Sequence, residues 1–307
     1  MLSAPAHHLQ VLRKEAGLFE CSDAGVGVLP TPTACHSDMI ALGRVLSKCV
    51  VDGHPLGKGF GRFIFEFLAD AHERRVFCSA HSALEVLSDF DPDLAQCWAK
   101  LLAAPQVGLK LDQFDETAEE SELPAERSAF EHAIIAGCRY RLLHVRQASL
   151  EALRDGFEEH IKVFRIQLGA FSTAELFFMM RGSLVISASE LAECFDFSAN
   201  VSDFAQVGSH AQRFLRELVS DEHPSTGLTA EQRLQLLTWS TAFAALPCGG
   251  VCPRITVKLF EGRDDEDLPM VHTCGREIHL PPYSSRAVLR AKLLKALEHR
   301  DDGFLIE

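Results

Sequence analysis

The stretch "MVHTCGREIHLPPYSS", Met270 to Ser285, holds a cysteine, Cys274, two residues after His272 and just ahead of a segment that alternates toward a double proline. Within "REIHLP" (276–281), Ile278 and Leu280 alternate with polar residues, which predicts a strand. Upstream, "PRITVKLF" (253–260) carries β-branched residues at alternate positions and predicts another strand, and "EGRDDEDLP" (261–269) is an acidic turn. Downstream, "SSRAVLRAKLLKALEHR" (284–300) predicts an amphipathic helix with Leu289, Leu293, Ala296 and Leu297 on one face. Cys274 is therefore expected in a loop of a small mixed region, and loops on a rigid scaffold are common sites for reactive residues.

Four chemistries suit such a cysteine. A zinc site would draw on Cys248, Cys252, His272 and Cys274, but neighbours one apart on a strand rarely both reach one tetrahedral ion. A thiol hydrolase needs a base held against the sulfur by a third group, and no motif marks out any of the 14 histidines for that work. Thioester exchange needs less: an accessible thiol with some thiolate character, because the incoming acyl group is already activated. An ordinary buried thiol is the fourth, and on the residues alone it stands ahead of the others.

The rest of the chain sets the frame. Its 307 residues, 47% of them hydrophobic, suffice for one large domain or two ordinary ones. No apolar run is long enough to cross a membrane, and the N-terminus lacks the apolar block of a secretory signal. Ten scattered cysteines are too sparse for a disulfide scaffold, so most are expected to be buried thiols in a cytoplasmic or nuclear protein. The formal charge is −13 with no basic stripe, which argues against nucleic-acid binding.

Residues 22–36 read as a loop, followed by a helix from about Ser37 with Ile40, Val45, Cys49 and Val50 on or near its apolar face. "GRFIFEFLADAHER" (61–74) predicts a buried aromatic helix. Asp91 and Pro92 open another, with Leu94, Trp98, Leu101 and Leu102 as its stripe. "VGLKLDQF" (107–114) suggests a short strand through Leu109 and Leu111, and the acidic 115–126 an irregular linker. Residues 127–160 return to helical periodicity. Capping-box spacing marks helix starts at Ser172 with Glu175, Ser187 with Glu190, and Thr229 with Gln232. Gly182, between two of these helices, is a candidate hinge.

Taken in order, Leu268-Pro269, His272-Thr273-Cys274, Leu280-Pro281-Pro282-Tyr283 and Gly303-Phe304 resemble the C-terminal lobe of HECT-type ubiquitin ligases. "TWSTAFAALPCGG" (238–250) is similar to the family's segment ending in Pro-x-Gly-Gly. Further upstream, "GLFE" (17–20), "ALGRVLSKCVVDGHPL" (41–56), "LRDGFEEHI" (153–161) and "FSTAELFFMMRG" (171–182) are similar to successive parts of the N-terminal lobe.

The resemblance implies an α+β, bilobal fold. A mainly helical N-lobe would span 1–181, incomplete at its start, with a conjugating-enzyme docking region at about 91–134; 182–183 would be the hinge and 184–307 a mixed C-lobe. It implies that Cys274 accepts ubiquitin as a thioester from a conjugating enzyme and passes it to a lysine of a protein substrate. His272 and Thr273 would flank the nucleophile, Phe304 would assist transfer, Gly182 and Ser183 would let the lobe swing, and Leu101, Leu102, Leu109 and Leu111 would be docking candidates. No cofactor or metal is implied. The chain departs from the pattern at two places. Gly275 and Arg276 replace the usual Phe-Asn after the cysteine, and 114–134 is short and lacks the "N-G … T-x-x-N" stretch. The incomplete start and the shortened segment suit an alternative, a catalytically inactive HECT-like protein-binding module.

Overall fold

The computed structural model describes residues 17–56, 59–104, 108–124, 126–161 and 170–299. Phe304 lies outside them. The chain divides into two compact units between Met180 and Arg181.

The first unit is mainly helical. A two-strand ladder, β1 (Phe19–Glu20) and β2 (Leu29–Pro30), precedes helices α1 (His36–Val51), α2 (Arg62–Leu68) and α3 (His72–Arg75). Then come α4 (Ala80–Phe90), α5 (Pro92–Ala103), α6 (Arg127–Leu142), α7 (Gln147–Ile161) and α8 (Thr173–Arg181), which runs up to the boundary. The aromatic stretch behaves as expected: Phe63, Phe65 and Phe67 are all buried. Asp91 caps α5 by accepting from the Leu94 N–H at 3.1 Å, with Pro92 at the first helical position.

Two sequence expectations are met only in part, for identifiable reasons. In α1, Ile40, Cys49 and Val50 pack half-buried against the core as expected, but Val45 is exposed, and the fully buried residues are Met39, Gly43, Leu46 and Ser47. Small residues make that face because α1 and α7 cross at backbone contact. A Cβ on Gly43 would sit 2.1 Å from Leu153 O, and one on Gly156 2.0 Å from Ile40 O. Hydrophobicity does not reveal a face whose function is to be thin. Leu109 and Leu111 do not form a strand of their own. Leu111 N–H bonds Ser121 O at 2.9 Å and Leu123 N–H bonds Leu109 O at 2.8 Å, and a 3₁₀ turn follows at Leu111–Gln113. The acidic 115–120 segment is thus the tip of a tied loop, anchored by buried Phe114 and Leu123.

The second unit has its own core around a four-stranded sheet of order β3-β4-β6-β5. After α9 (Ala188–Glu193) come β3 (Phe195–Asp196), α10 (Val201–Gln206), α11 (Ala211–Val219) and α12 (Ala230–Thr241). β4 (Ile255–Leu259), β5 (Met270–His272), β6 (Glu277–Leu280) and α13 (Arg286–Glu298) complete it. β3, β4 and β6 run parallel, and β5 pairs antiparallel with β6 at one edge. The capping boxes at Ser187 and Thr229 are formed as the spacing predicts. The buried face of α13 is Leu289, Leu293, Ala296 and Leu297, the four residues its periodicity selects.

Candidate active site

β5 and β6 form a hairpin in which Val271 pairs with Ile278 and His272 with Glu277. Alternation sends Val271, Ile278 and Leu280 into the core. The other face carries Met270, His272, Glu277 and His279. Residues 273–276 make the turn that joins the strands. The Gly275 N–H donates to His272 O at 3.1 Å and the Arg276 N–H to Thr273 O at 3.2 Å. Arg276 closes the turn at φ +49°, in the left-handed region. Cys274 sits at the tip and is exposed. Sequence reading expected a loop there but not the preceding strand, whose three residues are too few to show a period.

On the outer face of this hairpin a polar network runs from β4 to β5. Lys258 Nζ lies 2.7 Å from Glu277 Oε1, and His279 Nε2 lies 3.2 Å from Glu277 Oε2. The His279 and His272 rings meet edge to face with centroids 4.8 Å apart. Hydrogen bonds from Lys258 first, then His279, hold the Glu277 carboxyl below its usual range. Strand alternation carries enough signal to place Lys258, Glu277 and His279 on one face, but sequence reading did not use it.

The cysteine turn is held through Arg276, and the neighbouring acidic turn through Tyr283. Arg276 reaches the backbone oxygens of Cys252 and Pro253, and its guanidinium lies over the Phe243 ring. Tyr283, of the Leu-Pro-Pro-Tyr segment, is buried, and its hydroxyl donates to Asp267 O at 2.9 Å. Burial, then the nearby Asp267 and Asp265, push the Tyr283 phenol up from its ordinary value.

This geometry narrows the chemistry. Among the described residues, no hydrogen bond joins the Cys274 sulfur to a histidine, as a preassembled hydrolase dyad would have. No group of three or more His, Cys, Asp or Glu among the described residues is placed to hold a metal ion, Cys248, Cys252, His272 and Cys274 included. Nor is Cys274 a buried thiol. The expectation that most cysteines are buried is itself corrected: Cys35, Cys78, Cys97, Cys248, Cys252 and Cys274 are exposed, and only Cys138 and Cys194 are fully buried. Burial pushes those two up to about 12 and about 11. An exposed thiol on a braced turn remains, suited to exchange with an activated acyl group.

The other sequence-selected residues lie elsewhere. Gly182 has φ +76°, a conformation that glycine alone adopts without strain. Ser183 is bonded through both backbone groups to Leu246, at 2.8 and 2.9 Å, and so is fixed within the second unit. Leu101, Leu102, Leu109 and Leu111 are half-buried and pack against the core of the first unit. No helix among the described residues is long and apolar enough to cross a membrane.

Comparison with known proteins agrees with this fold. The model of the HECT domain, described as a ubiquitin-transferase, matches residues 7–307. The chain belongs to the HECT-domain family. It is 28% identical over 265 residues to a bifunctional serine/threonine-protein kinase/NEDD4-like E3 ubiquitin-protein ligase of Dictyostelium discoideum, covering 86% of this chain and 13% of that protein. It is 24% identical over 343 residues to the E3 ubiquitin-protein ligase UPL4 of Arabidopsis thaliana, covering 99% of this chain and 21% of that protein. Against the E3 ubiquitin-protein ligase TRIP12 of Danio rerio it is 32% identical over 163 residues, covering 50% of this chain and 8% of that protein. The chain thus spans only a small part of the length of these relatives.

Proposed function

We propose that this chain is the catalytic part of a ubiquitin-protein ligase and that Cys274 carries ubiquitin as a thioester. The observation that bears the most weight is the exposed Cys274 at the tip of a braced hairpin turn, in a chain that the HECT model matches almost from end to end. In the first step the Cys274 thiolate attacks the carbonyl carbon of the ubiquitin C-terminus. A new C–S bond forms, the C–S bond to the conjugating enzyme breaks, and that enzyme leaves as a thiolate. In the second, a lysine amine of the protein substrate attacks the same carbon. A C–N bond forms, the bond to Cys274 breaks, and the proton that the amine loses passes through solvent to the departing Cys274 thiolate. Both steps exchange an acyl group that is already activated, so orientation matters more than a strong base.

In this reading the conjugating enzyme docks on the first unit, with Leu101, Leu102, Leu109 and Leu111 offering their exposed parts. Rotation at Gly182 then carries the second unit between donor and substrate, while Ser183 moves with that unit. The cytoplasm or nucleus, where thiols stay reduced, is the fitting compartment.

The test uses the whole chain with activating enzyme, a panel of conjugating enzymes and ubiquitin, resolved on a non-reducing gel. The expected result is a reductant-sensitive adduct that Cys274→Ala abolishes and Cys274→Ser converts to a reductant-resistant ester. Absence of any adduct across the panel, with ubiquitin binding retained, would instead favour the non-catalytic module.

A further inference from the structure

Arg276 closes the cysteine turn at φ +49°, a backbone conformation that a long side chain rarely adopts. Asn and Gly enter that region more readily, so the backbone gives no reason for an arginine. The side chain does. Its Nη1 donates to Cys252 O and, at 3.2 Å, to Pro253 O. Its guanidinium carbon lies 5.1 Å from the centre of the Phe243 ring, which is buried. Its backbone is fixed as well: the N–H bonds Thr273 O at 3.2 Å, and the C=O accepts from Thr256 N–H at 2.9 Å. One residue therefore ties the tip of the hairpin to the segment before β4, to β4 itself and to the aromatic ring that follows α12. Both carbonyl bonds leave one nitrogen, which an ammonium could imitate, but only a planar guanidinium can also lay its face over the Phe243 ring.

We propose that Arg276 is a positioning residue for Cys274, clamping the turn so that the thiol meets an incoming thioester in one orientation. This role rests on Cys274 being the acyl acceptor. Gly275 gives the turn no side chain to pack, and the guanidinium supplies the bracing from the next position.

Arg276→Gly separates the two effects, because it relieves the left-handed backbone while deleting the clamp. Single-turnover acylation of the full chain, with rate followed against conjugating-enzyme concentration, is measured for wild type, Arg276→Gly, Arg276→Lys and Cys274→Ala. The Gly variant is expected to keep or raise its thermal midpoint yet to form the thioester about 10-fold more slowly. The loss should fall on the maximal rate and leave the half-saturating concentration in place, with Lys intermediate. Hydrogen exchange at the Gly275 and Arg276-position amides should quicken in the Gly variant. An unchanged rate in Arg276→Gly, with the adduct still on Cys274, overturns the clamp and leaves the nucleophile standing. If wild type forms no adduct, the nucleophile assignment fails, and the clamp is judged by iodoacetamide labelling of Cys274 and by amide exchange. Equal labelling and equal exchange in wild type and Arg276→Gly overturn it; a change in either supports it.

Discussion

Tyr283 shows how a recognisable residue can owe its place to packing and not to chemistry. Its ring is buried in the core of the second unit and its hydroxyl donates to Asp267 O, which ties the acidic turn to the segment after β6. Tyr283→Phe keeps the ring and deletes one hydrogen bond, so chemical denaturation should show a loss of about 1 kcal/mol. Single-turnover acylation should hold near the wild-type rate, because the hydroxyl makes no contact with the cysteine turn. Sequence alone singled out Cys274 through the residues on either side of it and placed it in a loop, but was a poor guide to its surroundings. The bonds from Arg276 to Cys252 and Pro253 join positions 23 and 24 residues apart, and nothing in residue order announces them. The left-handed backbone of Arg276 was equally hidden, since arginine is not a residue from which such a φ would be read.

At the scale of elements, the crossing of α1 and α7 is the most demanding contact of the first unit. Both Gly43→Ala and Gly156→Ala would drive a methyl group into the opposing backbone, and backbone cannot yield as a flexible side chain does. Each substitution should lower stability by about 2 kcal/mol or more in urea titrations. An unchanged midpoint would mean that the helices cross less closely than described. Helix starts were legible because capping is local: Ser187 with Glu190 and Thr229 with Gln232 satisfy each other within a single turn. The buried face of α13 was legible because its leucines repeat at helical spacing. The face of α1 was legible only in part: Ile40, Cys49 and Val50 pack as expected, but Gly43 and Ser47, which carry no hydrophobic signal, lie at its centre. The two- and three-residue strands β3 and β5 were missed for want of length, and only their partners β4 and β6 define them.

For the molecule as a whole, two cores mean two sources of stability, and the second unit depends on acidic groups held in their charged form. Asp221 is held down to about 2 by the His223 N–H first, then by Thr226 and Arg286. Asp196 and Asp265 are lowered chiefly by Ser198 and Ser284, and Glu190 by Ser187. In each case the folded value lies below the unfolded one, so the unfolded chain binds more protons as the solution is acidified. This contribution is complete above about pH 4.5, the ordinary carboxyl value of glutamate, and is lost as pH falls toward about 2, where Asp221 titrates. Unfolding followed against pH should therefore steepen across that window, and Asp221→Asn should flatten its lower end. The bilobal α+β class could be read from sequence because the helical and strand periods change along the chain and the motifs arrive in family order. Gly182, just past the division between Met180 and Arg181, has a positive φ, the physical counterpart of a helix stop followed by a capped start.

The central event is acyl transfer to one sulfur. Intact-mass measurement of the whole chain after brief incubation with a charged conjugating enzyme, followed by peptide mapping without reductant, reads that event directly. The expected result is a gain of one ubiquitin less the elements of water, located on the peptide that contains Cys274 and absent from Cys274→Ala. A ubiquitin thioester located on Cys248, Cys252 or any other exposed cysteine, or one that persists in Cys274→Ala, would contradict it.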